Sequence, residues 1–319
     1  GSAETLNTAY DSNGITGLGD ELVAITGTSS SASALNTLDG NTTGAIDASS
    51  INTLTGTGAD ALTAFNSAGI TGLDFDAANY IASYADLISA FGTNTTAGSA
   101  HYFASGISEG RSFDSFDESS YLASNTDLLS AFGANTSLAV LHYLNLGYTE
   151  GRSTDSFDAN SYLASHTDLL IAYGSNTTTA ISHYINIGFS EGRSTDSFNE
   201  FSYIASHADL LNTYGINDGA AATAHYVTTG YSAGKAADSF DEYGYIASYA
   251  DLITAFKTDT LTATKHYIAH GTTEGRTVSF DAAAYLAAHS DLSAAYGSDQ
   301  ELAKQHYINF GYAEGRALS

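Results

Sequence analysis

The sequence predicts a mainly α-helical protein: six short three-helix repeats in an array, preceded by a small, solenoid-like segment of strands and turns. Three observations lead there. Residues 75–319 contain one unit six times, starting at Phe75, Phe116, Phe157, Phe198, Phe240 and Phe280, with spacings of 41, 41, 41, 42 and 40 residues. Within each unit, helix-starting and helix-stopping residues recur at fixed offsets. Residues 1–74 contain no Lys, Arg or His and follow shorter repeats of their own, so the composition changes near Asp74.

Residues 1–74 come first in chain order. "AYDSNGITGL" at 9–18 returns as "AFNSAGITGL" at 64–73, and "LNTLDG" at 35–40 as "INTLTG" at 51–56. "LVAITGT" and "TGAIDAS" read as short strands, and "ASALNTL" reads as a helical turn between them.

The array follows, in copies 75–115, 116–156, 157–197, 198–239, 240–279 and 280–319. Each copy opens on a helix start. Asp76, Asp117, Asp158, Asn199, Asp241 and Asp281 are good N-caps. The Phe before each cap and the Tyr four residues after it form a hydrophobic staple. A second helix surrounds "DLISAFG" and stops at Gly92 or its equivalents. Its first turn carries Asp86, Asp127, Asp168, Asp209, Asp251 or Asp291, where a carboxylate opposes the helix dipole. A third helix starts after Asn94, Asn135, Asn176, Asn217 or Asp218, Asp259 and Asp299. It runs through a His-Tyr pair to Gly106, Gly147, Gly188, Gly230, Gly271 or Gly311. Glycine at that point predicts a left-handed C′ residue, with Tyr143 and Tyr148 in contact across the helix end, as in Tyr184–Phe189, Tyr226–Tyr231 and Tyr307–Tyr312. Helices this short are marginal alone, which predicts that copies pack on one another.

The chain has five arginines, and all five close the tripeptide Glu-Gly-Arg: Arg111, Arg152, Arg193, Arg276 and Arg316. Copy four has Lys235 in that slot and Ala233 in place of the glutamate. In a chain of net charge −26, cations confined to one slot call for a structural partner. The recurring carboxylates Asp86, Asp127, Asp168, Asp209, Asp251 and Asp291 are the predicted partners, one clamp per copy.

Histidines occupy two slots. His101, His142, His183, His225, His266 and His306 share one; His166, His207 and His289 share the other. Repetition in every copy favours a structural role over catalysis, and no hydrolase, kinase or zinc-protease motif occurs. No catalytic residue and no cofactor is predicted. Calcium is the one ion retained as a candidate, because the linkers bring Asp155, Asp158, Asp196, Asp238 and Asp241 near other oxygen-bearing residues. Neither an EF-hand loop nor a glycine-rich calcium nonapeptide is present.

The acidic balance opposes binding to nucleic acid and anionic membranes, both polyanions. No apolar run approaches the ~20 residues of a membrane-spanning helix. The absence of Cys excludes disulfides and thiolate chemistry. Acidity with neither Cys nor Met suits an oxidising, saline exterior.

The pattern FDxxxYxASxxDLxxAFG…HYxxxGxxEGR over 75–319 resembles repeats in large secreted or surface proteins of marine and other Gram-negative bacteria. "LNTLDGNTTGAIDASSINTLTG" at 35–56 resembles repeats of very large marine cyanobacterial surface proteins. The resemblance implies export and a cell-surface or extracellular place. The function expected is a non-enzymatic structural or adhesive module of a surface layer, fibre or large adhesin, with self-association, envelope glycans or another surface protein as partner. The competing expectation is a carbohydrate-binding module that uses Tyr84, Tyr243 and Tyr249, aromatics outside the recurring core slots.

Overall fold

The computed structural model describes residues 1–12 and 14–318, and it is mainly helical, with a few two- and three-residue strands near the N-terminus. The chain divides into two compact units: residues 1–157 with 184–189, and residues 158–183 with 190–319. The compositional change at Asp74 lies inside the first unit. Copy three contributes to both units.

The N-terminal segment coils. Helices α1 (Ala3–Tyr10), α2 (Ala32–Asn41) and α3 (Gly58–Phe65) alternate with strands. Strands β1 (Val23–Ala24), β3 (Ile46–Asp47) and β5 (Ile70–Thr71) pair in parallel, in that order, with Val23, Ile46 and Ile70 in register. Strands β2 (Ser29–Ser31) and β4 (Thr53–Thr55) form a second parallel pair. Leu35, Leu38, Ile46 and Leu54 fill the interior and are fully buried. Successive helices are tied by asparagines: Asn7 Nδ2 donates to the Ala34 carbonyl and Asn36 Nδ2 to the Asp60 carbonyl, both at 2.9 Å.

The repeated string "ITGL" adopts two structures here. Ile70 is buried in β5, whereas Ile15 is half exposed and in no strand. β3 has two edges, and Val23–Ala24 and Ile70–Thr71 occupy them. The first ITGL is left in a loop that turns through Gly17 (φ 85°) and Gly19 (φ 139°).

Copy one closes the open end of this coil. Phe65 packs edge-on against Phe113 and Phe103, at ring distances of 5.2 and 6.0 Å. The Phe113 amide and the Ser112 hydroxyl both donate to the Asn52 carbonyl, at 2.7 and 2.8 Å.

Each copy contains three short helices. In copy two they are Glu118–Ser124, Thr126–Phe132 and Thr136–His142. The predicted caps are in place: Asp117 accepts the Ser120 amide at 2.8 Å, and Asp76, Asp158, Asn199, Asp241 and Asp281 do the same in their copies. The staple is formed too, with Phe116 and Tyr121 rings 5.7 Å apart. In copy four, Asp218 does not cap its helix with its side chain; its carboxylate instead accepts the Gly215 amide.

The third helix ends differently from expectation. It does not stop at Gly147 but widens into a π-helical turn over Tyr143–Gly147, in which the Tyr148 amide donates to the Tyr143 carbonyl five residues back. The same turn occurs in every copy. Gly147 and Gly311 have ordinary right-handed φ values of −58° and −59°. The left-handed residue is the glycine of Glu-Gly-Arg: Gly151 at φ 66°, with Gly110, Gly192, Gly234, Gly275 and Gly315 alike. The Gly151 amide then donates to Tyr148 and the Arg152 amide to Gly147, the two bonds of a Schellman ending. The Tyr143–Tyr148 contact, 6.1 Å between rings, comes from the π turn rather than from the helix end.

Gly147 is small for another reason. A Cβ there would lie 2.1 Å from the Tyr121 hydroxyl. The same clash would arise at Gly106, Gly230, Gly271 and Gly311.

Copies join through the first helix. It packs on the third helix of its own copy and on that of the next, as in Glu242–Ala247 against Thr260–His266 and Gln300–His306. Tyr245, Ile246 and Ala247 are buried there. A serine fastens the chain as it enters the next copy. Ser124 Oγ accepts the Ser156 and Phe157 amides at 2.8 and 3.1 Å, and Ser83, Ser165 and Ser248 act in the same way, while Ser206 accepts the Ser239 amide at 2.7 Å. Copy six has Ala288 in this slot.

Candidate functional site

The recurring polar residues converge at the end of each copy, where the Glu-Gly-Arg turn folds back over the second helix. The left-handed glycine reverses the chain, and this aims the arginine at the first turn of that helix. Arg111 places Nη1 and Nη2 at 3.0 and 2.8 Å from the Asp86 carboxylate. Arg152 reaches Asp127, Arg193 Asp168, Arg276 Asp251 and Arg316 Asp291, at 2.7–3.0 Å. Lys235 makes the corresponding contact to Asp209 at 2.9 Å. Each arginine Nε also holds the glutamate two residues before it, at 2.7 Å for Arg152 and Glu150. The arginines are largely covered, while the aspartates are more than half exposed. The guanidinium, together with backbone amides, holds each of these Asp carboxyls below the usual range; in copy four the Lys235 ammonium does so. Open to solvent, each clamp is worth less than a buried pair.

Beneath the clamp lies a tyrosine-histidine pair. The tyrosine is the N4 residue of the first helix, and the histidine ends the regular part of the third. Tyr121 OH lies 2.9 Å from His142 Nδ1, and Tyr80–His101, Tyr162–His183, Tyr203–His225, Tyr245–His266 and Tyr285–His306 repeat the contact at 2.8–3.0 Å. Burial pushes Tyr80, Tyr121, Tyr203 and Tyr285 up to about 12 and moves His183, His266 and His306 down. At His183, His266 and His306 the two shifts together favour a protonated hydroxyl beside an uncharged ring. Sequence reasoning placed this tyrosine only in the staple. The missed signal is that a buried tyrosine hydroxyl requires a partner.

The second histidine slot satisfies one carbonyl. His166, His207 and His289 place Nε2 2.8 Å from the carbonyls of Ser194, Ala236 and Ala317. In the other copies the same bond comes from Tyr84, Asn125 and Tyr249. Tyr84 and Tyr249 also lie under the guanidinium groups of Arg111 and Arg276, 4.8 Å from ring centre to carbon. Tyr243 is partly buried against the core of copies five and six. The three tyrosines expected to offer sugar-binding faces are thus engaged within the array.

Three of the calcium candidates, Asp158, Asp238 and Asp241, use their carboxylates locally. Asp158 and Asp241 cap helices, and Asp241 also receives Lys304 Nζ at 2.8 Å. Asp238 accepts the Phe240 amide, while the amides of Asp155 and Asp196 turn back to Ser153 and Ser194. Among the described residues, no three His, Asp or Glu side chains converge into a metal-holding group.

Carboxylates outside the clamps behave differently. Asp114, Glu118 and Glu242 are drawn into the junctions between copies, and burial raises all three above the usual range. An acidic groove of 380 Å³, lined by Asp114, Ser115, Phe116, Asp117, Glu118 and Ser119, opens at the junction of copies one and two.

No family model, curated protein or solved structure matches the chain. Among the described residues, no helix is long and apolar enough to cross a membrane.

Proposed function

We propose that this chain is a non-enzymatic structural or adhesive module that works outside the cell or on its surface. The observation that carries this reading is the even use of its polar residues. The Asp-Arg clamp (with Lys235 in copy four), the tyrosine-histidine pair and the carbonyl donor recur in all six copies, and each group is spent on holding its own copy together. A surface repeated six times strengthens weak contacts through multivalency. The net charge of −26 keeps such an object dispersed at low salt. In seawater-like salt the Debye length falls to a few ångströms, so short-range contacts between chains or with envelope glycans dominate.

Light scattering across salt and calcium, glycan-array binding and a broad hydrolase screen test the reading together. Assembly or surface attachment that strengthens with salt supports it. Turnover abolished by one point mutation overturns it. Saturable binding of one defined sugar by the monomer replaces it with a carbohydrate-binding module.

A further inference from the structure

Nine of the ten histidines fall in the two recurring slots, and the tenth is His270. It stands in the π turn of copy five, four residues after His266, where the other copies carry Ser105, Leu146, Ile187, Thr229 and Phe310. That spread of residue types shows no structural demand for imidazole in the slot. The His270 side chain is exposed. Its carbonyl accepts the Glu274 amide and the Thr273 hydroxyl, but no hydrogen bond engages its ring among the described residues. The ring lies instead against that of His266, with centroids 5.5 Å apart and planes inclined by 56°. The turn itself sets this approach, because Phe310 stands against His306 in copy six at 5.7 Å. Copy five alone places two imidazoles side by side in this way.

The surroundings of the pair favour a cation. His266 Nδ1 lies 2.9 Å from the Tyr245 hydroxyl of the first helix, which leaves Nε2 as the second ring nitrogen. In copy one the equivalent nitrogen of His101 lies 4.0 Å from Glu109. Glu274 holds that place in copy five and acts electrostatically on His266, as do Asp251 and Arg276. Both carboxylates are bound to the one guanidinium, so the clamp as a whole stays negative. The second helix contributes the uncharged ring of Phe256, 5.4 Å from His266. Lys265, the adjacent cation, is turned onto the Phe201 ring of copy four. Burial lowers His266, which keeps its ring neutral at pH 7.

We infer that His266 and His270 form a binding site for a divalent transition-metal cation, Cu²⁺ or Zn²⁺, held by one nitrogen of each ring. A metal about 2.0–2.1 Å from each nitrogen sits roughly 3.2 Å from each ring centre, so two ligands at about 90–120° hold their centres about 4.5–5.5 Å apart. The observed 5.5 Å falls at the upper end of that range, and rotation of the exposed His270 ring shortens it. Imidazole suits Cu²⁺ and Zn²⁺, with Cu²⁺ higher in the affinity order, whereas Ca²⁺ and Mg²⁺ require oxygen ligands. Ligation through Nε2 fixes the His266 proton on Nδ1, where the Tyr245 oxygen accepts it. Such an outer hydrogen bond orients a ligating histidine and raises its basicity. Water fills the remaining positions on the open side of the pair.

The test uses the intact chain without a polyhistidine tag, near neutral pH and at about 0.15 M salt, where diffuse binding to the acidic surface is screened. Cu²⁺ is titrated by calorimetry, and electron paramagnetic resonance reads nitrogen coupling from bound imidazole. One site with a dissociation constant on the order of 1–100 µM is expected, because two ligands supply about half the binding free energy of a four-ligand zinc site. His270→Ser should weaken it by at least about tenfold. The fold tolerates that change, since copy one carries Ser105 in the same slot. Leu146→His, at an exposed position of copy two, should add a second site beside His142. Binding should fall away below about pH 6 as the imidazoles take up protons. Identical titrations for wild type and His270→Ser overturn the site. So does displacement by millimolar Ca²⁺, which would assign the ion to surface carboxylates. A Leu146→His variant that binds no additional ion contradicts the role given to the π turn and overturns it as well.

Discussion

The N-terminal coil and the helical array solve one problem in two ways. Both must satisfy the ends of very short helices. The coil does it without a basic side chain: Ser2, Ser31 and Thr57 cap its helices, and asparagines such as Asn7 and Asn36 reach across to the next turn. The array caps its first helices mostly with aspartate and closes each copy with a charged clamp over a buried tyrosine-histidine pair. The difference lies in what each backbone leaves unsatisfied. Parallel strand rungs absorb amides and carbonyls on both sides of the coil. The array has no strands, so side chains must bridge helix ends that lie some 25 residues apart in sequence. The coil is therefore held chiefly by backbone register, and the array by particular side chains.

The largest expected effect comes where the two regions meet. A Cβ on Gly58 would lie 2.0 Å from the Phe103 carbonyl of copy one, and a backbone atom cannot step aside. Gly58→Ala should cost about 2–4 kcal/mol and loosen the coil from copy one. Chemical denaturation, with hydrogen exchange at Phe113, reads both. Gly147→Ala, inside the array, meets side-chain atoms, chiefly the tip of Tyr121, rather than backbone and should cost less. Tyr121→Phe should partly rescue that variant, because it removes the colliding hydroxyl. Full additivity of the two changes would contradict this packing.

Tyr121→Phe alone isolates a side-chain bond of the array. The lost hydroxyl leaves His142 Nδ1 without its partner, for about 1–2 kcal/mol. The corresponding change in the coil is Tyr10→Phe, which removes a bond to Glu21 at the surface. It should cost less than about half as much. Equal losses in urea midpoint would remove the contrast between the two regions.

A gain is expected at Lys257. Where most copies end the second helix on glycine, copy five has lysine at φ 51° and ψ −120°. Lys257→Gly should stabilise by about 1 kcal/mol, read as a rise in denaturation midpoint. A fall would mean that the lysine side chain makes a compensating contact.

The clamps should show the smallest individual effects. Arg152→Ala and Asp127→Ala should couple by about 0.5–1 kcal/mol in a double-mutant cycle, because the carboxylate is open to solvent. Their pH signature is more telling. The clamp aspartates are depressed, so their stabilisation is present above the ordinary aspartate value of 3.8 and is lost as pH falls through their folded values. Asp114, Glu118 and Glu242 are raised, so their contribution is complete below the ordinary range and is lost as pH rises through their folded values. The coil has neither feature beyond modest depressions at residues such as Glu21 and Asp47. Midpoints measured between about pH 3 and 6 should respond to Asp127→Asn at the acid end and to Glu118→Gln at the upper end. A profile unchanged by either substitution would sever the link between these groups and stability.

What the sequence determined by itself is the local part. Asp117 caps a helix three residues away, and Phe116 meets Tyr121 five residues on, so both can be read from spacing alone. The Arg-Asp clamp spans more chain, yet it was legible because confinement of the arginines to one slot identified the partner. Tertiary structure decided the rest. Gly147 was read as a helix end because glycine commonly stands there. Its actual constraint is the Tyr121 hydroxyl, 26 residues earlier in the chain, and only packing brings the two together. The π turn and the serine that receives the next copy depend in the same way on neighbours distant in sequence. The two fates of "ITGL" show the principle most directly: the same four residues carry the same propensities, and the free edge of β3 goes to only one of them.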